Sequence, residues 1–493
     1  MTQILKEDSL KKNLVLQFFY QAIVLVMPLI VAPIVSRRIG SVGLGIYSYV
    51  GSIAYYFVVI ANLGIVKHGQ RVIASSAKDI TKLRKTFWSL FSVHLIISTI
   101  SLLLYSLFII FCVNEYIDIF CIFGLLILSA CFDITWLFYG IQNFKSVVVK
   151  NLICRICVSL AIIVFVRNSS DLHVYSIIEN FALLVANLAL IPSAIKAIRP
   201  IRISLSDCAE HVKPLLILSI AVIATALYTV FDKTLLGVLS TKSNVAFYEY
   251  SNKIITIPRT FVAVIGTVFF PKACSLAAKG DINGRAKYAE YAYVAVSFIS
   301  FASIFGLLAI APALATIYYG EEFASCGDII ISMSPLIFII GIGDVIRNIF
   351  LIPQKKDLPY VVCLCISALL NILLSMILIP YKGVYGAVIG TTIAELFGLV
   401  FQFAYCKKQI SLKPILKAVG IFSIIGLFMF FIIFIFSFFF KNSVSISYLL
   451  FSVLLGALIY CSLSLFLIKH FYQDIWTSLV TFIHKLFERR VAK

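Results

Sequence analysis

Seven basic residues stand within or at the ends of long apolar stretches, where a cationic side chain is costly. They are Arg37, Arg38, Arg155, Lys233, Lys253, Arg259 and Arg347. An ionisable group at membrane depth costs several kcal/mol and usually faces a bundle interior or a water-filled cavity. We therefore interpret these cations as a candidate binding site for an anionic cargo.

Acidic residues share this setting and are candidates for ion coupling or charge pairing. They are Asp133, Asp232, Glu249, Asp344 and Glu395, and Glu179 is a sixth buried acid. Glu395 stands about eleven residues into its predicted helix, and it is the acid that best fits proton or sodium coupling. A hydrogen-bonded structural carboxyl is the alternative interpretation.

Two arginines are deep enough to line a cavity. Arg155 stands about nine residues into its predicted helix, near the membrane midplane at 1.5 Å per residue, and an ion pair with Asp133 or Glu395 is its alternative role. Arg259 directly follows Pro258, which frees a backbone carbonyl and can break the helix beside a charge, as in transport sites. A proline kink that only shapes packing is the alternative there.

Two pairs of opposite charge have the spacing of neighbours on one helix face. Glu249 and Lys253 are spaced i, i+4, and Asp344 and Arg347 are spaced i, i+3, so each pair can neutralise itself. Arg347 also stands near the cytoplasmic end of its helix, where it is either an inner gate or a snorkelling anchor.

Apolar blocks of about 20 residues position these groups. Of the 493 residues 61% are apolar and 13% are charged, which excludes a water-soluble fold. Each block is long enough to cross the hydrocarbon layer as a helix that satisfies its own backbone. We predict fourteen spans, at 13–36, 46–66, 87–112, 117–140, 146–166, 174–197, 213–239, 244–275, 286–312, 328–352, 359–380, 384–405, 413–437 and 446–468.

The distribution of Lys and Arg predicts that both termini lie in the cytoplasm. With that orientation 30 of the 41 Lys and Arg residues fall on the cytoplasmic side and six on the other. The net charge of +19 is therefore mostly a topology signal, and no nucleic-acid partner is expected. The first apolar block is too long for a cleavable signal and is interpreted as a signal anchor.

No pattern typical of enzyme chemistry occurs. Phosphate-cradling glycine loops, zinc spacings and hydrolase motifs are missing, and the loops are too short for a catalytic domain. The twelve Cys are interpreted as packing residues, and His94 and His173 as packed or interfacial imidazoles. The sequence predicts no enzyme, no metal site and no cofactor beyond proton or sodium coupling.

A weak internal repeat divides the first twelve spans into two sixes. Residues 36–49 and 231–250 both place cations before a Gly and then enter a helix through Tyr-x-Tyr, and 139–146 matches 352–359. Parallel repeats of this kind place a site between two halves. We predict an N-terminal six-helix lobe at 1–200, a C-terminal six-helix lobe at 201–410, two further transmembrane helices at 411–468, and an amphipathic cytoplasmic tail at 469–493.

The chain resembles the polysaccharide flippases, the exporters of O-antigen and capsule repeat units in the multidrug/oligosaccharidyl-lipid/polysaccharide superfamily. The resemblance extends over about residues 10–405. It rests on PLIVAPIVSRRIGSVGLGIYSYV (28–50), NLGIVKHGQRVIA (62–74), DITWLFYGIQNFK (133–145), FDKTLLG (231–237), FFPK (269–272), IRNIFLIPQKKD (346–357), NILLSMILIPYKGVYGAVIGT (371–391) and AEL (394–396).

This resemblance implies an all-α polytopic membrane protein in the bacterial cytoplasmic membrane, with two six-helix lobes around a central cavity plus two C-terminal helices. The implied cargo is an undecaprenyl-pyrophosphate-linked oligosaccharide, moved outward by alternating access, and the buried Arg and Lys would hold its pyrophosphate. A polysaccharide polymerase and a chain-length regulator are the implied protein partners.

Two features depart from the family pattern. Gln142 stands where an acidic residue is expected in the turn after the fourth span, and the last two helices lie outside the twelve-helix core. Two other functions are weighed against the flippase. One is a cation-coupled drug or toxin exporter, which should favour acidic over basic lumen groups, and the other is a membrane polymerase or glycosyltransferase, which needs a larger external loop.

Overall fold

The computed structural model describes residues 10–439, 445–477 and 481, and these residues form helices without a strand among them. This confirms the predicted all-α polytopic class. The helices are α1 (Leu10–Asn62), α2 (Ile65–Ser76), α3 (Ile80–Cys112), α4 (Ile117–Cys131), α5 (Thr135–Gly140), α6 (Phe144–Phe165), α7 (Leu172–Leu188), α8 (Ile191–Ala197), α9 (Leu205–Leu239), α10 (Lys242–Ala278), α11 (Ile282–Tyr319), α12 (Cys326–Met333), α13 (Leu336–Ile346), α14 (Asp357–Lys382), α15 (Val384–Cys406), α16 (Leu412–Phe439) and α17 (Ile446–Phe471).

Twelve helical segments of the described chain are long and apolar enough to cross a membrane. Eleven of them each coincide with one predicted span. The twelfth, Met27–Ser76, is 50 residues long and contains parts of the first two predicted spans. The remaining predicted span, 213–239, lies in α9. The fourteen predicted spans therefore all fall on helix, and the chain is a multi-pass membrane protein.

The first two spans are joined differently from the prediction. The sequence predicts two spans with a connection between residues 36 and 46, whereas in the structure α1 consists of two helices that meet at a kink at Gly40, where φ is 80° and ψ is 174°. A positive φ of this size is readily available to glycine and strained for other residues. Arg37 and Arg38 consequently lie at the end of the first of these two helices, as the sequence predicts.

Three other predicted spans are broken helices. The span at 328–352 consists of α12 and α13 on either side of Pro335, followed by a π-helix at Arg347–Leu351 and a 3-10 turn at Ile352–Gln354. The span at 117–140 divides into α4 and α5, and that at 174–197 into α7 and α8. By contrast, the long eighth span is one helix, α10, of 37 residues with Pro258 inside it.

Contacts divide the chain into two units, a first that ends at Ala246 and a second that begins at Phe247. In the first unit α9 packs on α1 and α3. This boundary reflects which residues contact each other, whereas the predicted lobes at 1–200 and 201–410 rest on a sequence repeat. The contacts do not test that repeat, so the lobes stay a prediction.

Hydroxyl groups join α1 to α9 inside the first unit. Ser52 and Tyr56 each share a hydrogen bond with the Thr234 hydroxyl of α9, at 2.9 and 3.0 Å, and Ser41 donates to Ser243, at the start of α10, at 3.0 Å. Of these residues Ser41, Thr234 and Ser243 lie in the segments matched as a repeat, 36–49 and 231–250, and Ser52 and Tyr56 follow the first segment. Small polar residues of this kind let helices approach closely in a membrane.

The second pair of matched segments forms the same turn twice. After α5 the N–H groups of Gln142 and Asn143 donate to the carbonyls of Tyr139 and Phe138, at 3.1 and 2.8 Å. In the second unit, Lys355 and Lys356 donate in the same way to Ile352 and Leu351, at 2.9 and 3.1 Å. Gln142 and Lys355 both take the left-handed conformation, with φ of 60° and 58°, so each turn is a Schellman motif. The local backbone thus supports the internal repeat.

A buried tryptophan joins two of the segments on which the family resemblance rests. Trp136 of α5 is 0% exposed and packs in a core with Ile65 and Ile73 of α2. A Cβ added at Gly69 of α2 would lie 2.7 Å from the Trp136 ring. The segments 62–74 and 133–145 therefore form one packing unit.

The last two helices pack on α11 of the second unit. The Tyr460 hydroxyl of α17 donates to the carbonyl of Phe298 at 2.9 Å, and Phe422 of α16 is buried beside them. After α17 the Asp474 carboxylate pairs with Lys287 at 2.7 Å. Most of the predicted amphipathic tail at 469–493 lies outside the described residues.

We expect Gly69→Ala to destabilise the protein relative to Gly124→Ala. Alanine gains up to about 1 kcal/mol of helix propensity at either site. At Gly69 it also overpacks a fully buried ring, which costs about 1–3 kcal/mol. At Gly124 the nearest atom would lie 4.0 Å away. Thermal unfolding of the purified protein measures the difference, and equal melting temperatures of the two variants would contradict the packing assigned to Gly69.

Candidate functional site

Two of the predicted cations of the second unit meet around one carboxylate. Asp344 of α13 forms an ion pair with Arg347, with Oδ1 2.7 Å from Nη2. Asp344 also interacts electrostatically with Arg259 of α10. Arg347 Nη1 donates to the Tyr360 hydroxyl of α14 at 3.4 Å, and its guanidinium carbon lies 5.4 Å from that ring. We call these four residues the arginine cluster.

The local backbone explains how the arginine cluster is assembled. The i, i+3 spacing brings Asp344 and Arg347 to the same face of the helix, and Arg347 is the first residue of the π-helix at Arg347–Leu351. π-helical turns occur frequently at functional sites. On the facing helix, Gly266 lets α10 approach closely, since a Cβ there would lie 2.5 Å from Asn348 Nδ2. This close approach fixes α10, and with it Arg259, beside the π-helical turn.

The arginine cluster contains two guanidinium groups and one carboxylate, so it carries an excess positive charge. The side chains of Arg347 and Asp344 are 29% and 16% exposed, which is partial burial. Partly buried charges are less screened than surface charges, and guanidinium groups pair well with phosphate and carboxylate oxygens. The arrangement can bind an anionic group against Arg259 while Asp344 holds Arg347 in place.

The other two predicted site residues of α10, Lys253 and Glu249, lie apart from the arginine cluster. The Lys253 ammonium lies over the ring of Tyr250, 4.0 Å from its centroid, which is a cation–π contact. Glu249 stands half-buried one turn earlier on the same helix. Tyr250 itself packs against the buried ring of Tyr319, so the aromatic contact orients Lys253.

In the first unit, Arg155 has a different partner from the two acids considered in the sequence analysis. Its Nη1 lies 3.6 Å from the Glu179 carboxylate of α7, and the two side chains are 37% and 20% exposed. The partner is therefore neither Asp133 nor Glu395. A paired and partly exposed arginine remains able to contact a ligand, so its binding role stays a prediction.

Arg38 caps the C-terminal end of α6. Its Nη1 donates to the carbonyls of Ile163 and Val166, at 2.7 and 2.5 Å. The last carbonyls of a helix have no partner within the helix, and a basic side chain stabilises them through hydrogen bonds and the helix dipole. Arg37, its neighbour, is exposed on α1. Part of the predicted cationic site at this helix end is thus structural.

The other predicted acids lie in separate places. Asp133 accepts the backbone N–H of Thr135 at 2.9 Å and so fixes the start of α5. Asp232 is buried on α9, 4% exposed, in electrostatic contact with Tyr56, and Lys233 follows it on that helix. Glu395 stands half-buried on α15 and interacts electrostatically with Cys363 of α14.

Sequence reasoning missed two partners of the predicted arginines. Spacing along the chain does not indicate Tyr360 as the partner of Arg347, and it indicates Glu179 only as a buried acid. In each case the partner lies on another helix, and the relative rotation of helices cannot be obtained from spacing along the chain.

Comparison with known proteins adds a family and a fold. A family model described as "Polysaccharide biosynthesis protein" matches residues 10–276. A "Putative O-antigen transporter" of Shigella dysenteriae is 24% identical over 403 residues, which are 81% of this chain and 100% of the relative.

Two solved structures share the fold. The structure described as "Lipid II flippase MurJ, inward closed conformation" has a TM-score of 0.62 at 16% identity and covers 93% of this chain and 99% of its own. An inward-facing "multidrug resistance MATE family transporter of the MOP superfamily" has a TM-score of 0.55 at 15% identity and covers 81% of this chain and 96% of its own.

We expect Arg38→Ala to lower the stability of the protein, because two carbonyls at the end of α6 lose their donor. Hydrogen bonds to a charged group contribute about 1.5–3 kcal/mol when buried, and partial exposure here reduces this to about 1 kcal/mol. Thermal unfolding measures the loss, with the exposed Arg202→Ala as control. An unchanged melting temperature with lost transport would instead assign Arg38 to the cargo alone.

Proposed function

The chain belongs to the polysaccharide biosynthesis protein family, and we propose that it is a flippase for an undecaprenyl-pyrophosphate-linked oligosaccharide repeat unit. In this proposal it moves the repeat unit from the cytoplasmic to the outer leaflet by alternating access, for the synthesis of a surface polysaccharide. It acts as a transporter and catalyses no covalent step.

The arginine cluster carries the proposal. A lipid-linked pyrophosphate must lose water to cross a membrane, so the protein has to offer donors that replace the water. Arg259 and Arg347 supply guanidinium donors inside one unit, and a single carboxylate, that of Asp344, interacts with both of them. Charge-assisted hydrogen bonds from arginine to phosphate are among the stronger ones. The remaining predicted cations, including Lys233, Lys253 and Arg155, are proposed to add positive charge along the path.

Relatives and structural neighbours support the same function independently of the geometry of the site. The relative from Shigella dysenteriae is described as an O-antigen transporter, and this chain spans its whole length. The MurJ structure is described as a flippase for lipid II, and its fold extends over nearly the whole chain.

The setting of the protein follows from the same proposal. We place it in a bacterial cytoplasmic membrane with both termini in the cytoplasm, as the Lys and Arg distribution predicts. Its partners are the bilayer, the lipid-linked cargo, and a polysaccharide polymerase with a chain-length regulator. No cofactor is needed, and coupling to protons or sodium is proposed to use Glu395 or another buried acid.

We expect Arg259→Ala and Arg347→Ala to reduce surface polysaccharide by about tenfold or more, because each removes a charged donor worth about 1.5–3 kcal/mol. The assay is a strain that lacks the native gene and carries each variant, with polysaccharide measured at the cell surface. Arg202→Ala, which changes an exposed arginine, is the matched control.

The amount of each variant in the membrane is measured in parallel, so that loss of protein is not mistaken for loss of transport. Normal surface polysaccharide in both arginine variants, at normal protein amounts, would remove the arginine cluster from the transport path. Delivery of the lipid-linked oligosaccharide across vesicles that contain only the purified protein separates a flippase from a polymerase.

A cation-coupled drug exporter is the second candidate, and the shared fold with the MATE transporter favours it. Cationic cargo needs acidic groups that are not already neutralised, whereas Asp344 is flanked by two arginines. Deletion of the gene distinguishes the two functions, since a drug exporter changes drug susceptibility and leaves polysaccharide intact.

A further inference from the structure

Two buried histidines of the first unit form a hydrogen bond with each other near the start of α9. His68 of α2 and His211 of α9 are 3% and 7% exposed, and Nε2 of His68 lies 3.2 Å from Nδ1 of His211. The other nitrogen of His211, Nε2, lies 3.0 Å from the hydroxyl of Ser89 on α3. The pair of imidazoles therefore joins three helices.

The neighbours of the two rings determine where the ring protons lie. A guanidinium can only donate, and Nη2 of Arg71 lies 3.4 Å from Nδ1 of His68, so this nitrogen acts as an acceptor. His68 then carries its proton on Nε2 and donates to His211, which in turn donates from Nε2 to the Ser89 hydroxyl. Ser89 donates to the carbonyl of Thr86 at 3.2 Å. These hydrogen bonds form one directed chain, and the chain requires both imidazoles to be neutral.

An added proton disrupts this chain on either ring. On His68 the proton binds Nδ1 and faces the guanidinium of Arg71, and on His211 it binds Nδ1 and faces the N–H of His68. In each case two donors face each other, and a positive charge enters a buried site. With a proton on both rings the hydrogen bond between them is lost, and two like charges stand side by side.

The charges around the pair do not offset the cost of a proton. Burial holds the pKa of His211 below its usual range, although the acids Glu210 and Asp207 act in the opposite direction. Asp207 is itself paired with Lys85 of α3 at 2.9 Å. Helix α5, which packs on α2, carries no charged residue, and neither does the stretch 41–62 through which α1 packs on α3 and α9. Four cations and two acids stand within four positions of His68, Ser89 or His211: Lys67, Arg71, Lys85, Lys213, Asp207 and Glu210.

We propose that the contact between His68 and His211 is a pH-sensitive switch, which fixes the first turns of α9 to α2 and α3 while both rings are neutral and releases them when the pair is protonated. The direction follows from proton linkage. A solvent-exposed histidine takes up its proton below about pH 6.5, whereas the paired rings resist it. The released form therefore binds more protons than the joined form, and acid favours release. The switch lies within the first unit and does not depend on the identity of the cargo.

Hydrogen–deuterium exchange of the purified full-length protein tests the switch. Exchange is followed at about pH 7.5 and about pH 5.5, on either side of the range in which histidine titrates, in peptides that cover residues 205–215. Rates are corrected for the intrinsic effect of pH on amide exchange. Each histidine contributes up to about tenfold per pH unit below its ordinary pKa. We therefore expect residues 205–215 to exchange about tenfold faster or more at the lower pH, while residues 412–425 of α16 keep their rate.

Variants separate the histidine pair from other effects of acid. With His68→Gln and His211→Gln combined, the site takes up no proton, so exchange at 205–215 should not depend on pH. The exposed His470→Gln is the matched control and should respond as the unmodified protein does.

Should the double variant fail to fold, His211→Gln alone decides. Its amide can still accept from His68 and donate to Ser89, but it does not titrate, so the increase in exchange at low pH should be smaller than in the unmodified protein. An increase that is absent in the unmodified protein, or equally large in the site variants, would overturn the proposal.

Discussion

A guanidinium inside an apolar helix bundle must find acceptors, because its charge is costly to remove from water. The described part of this chain meets that constraint in three ways. Arg347 takes a carboxylate, Arg38 takes the last carbonyls of a helix, and Arg285 takes an amide oxygen and an aromatic ring. The three solutions differ in kind: the carboxylate of Asp344 offsets the charge of Arg347, whereas carbonyl and amide oxygens accept hydrogen bonds and leave the charge in place.

The arginine cluster depends on close helix packing as much as on charge. Lipid tails are as apolar as the side chains that face them, so helices in a membrane are held together mainly by close contact between small residues and by hydrogen bonds. Gly266 brings α10 against the π-helical turn, and Gly69 brings α2 against Trp136. The hydroxyl contacts of Ser52 and Tyr56 with Thr234 do the same for α1 and α9. A binding site with two arginines requires helices that are held in fixed positions by such contacts.

The sequence predicted the positions of the helices well, because the thickness of the bilayer links hydropathy directly to helix length. It did not predict that the two helices of α1 meet directly at Gly40 without a loop, since one glycine gives no hydropathy signal. The spacing of Asp344 and Arg347 indicated their ion pair, which lies within one turn. The pairing of Arg155 with Glu179 was not predicted, because it depends on how α6 and α7 are rotated against each other.

The same reasoning applies to the one turn that the internal repeat matches, whose backbone geometry is shared although the two sequences differ. The turns at Gln142 and Lys355 share their hydrogen bonds and their left-handed residue, although neither uses the glycine that usually occupies this position. The Schellman motif is satisfied by backbone groups, so its side chains are free to diverge. Gln142 therefore occupies the turn, and the acidic residue that the resemblance leads us to expect there is not needed to form it.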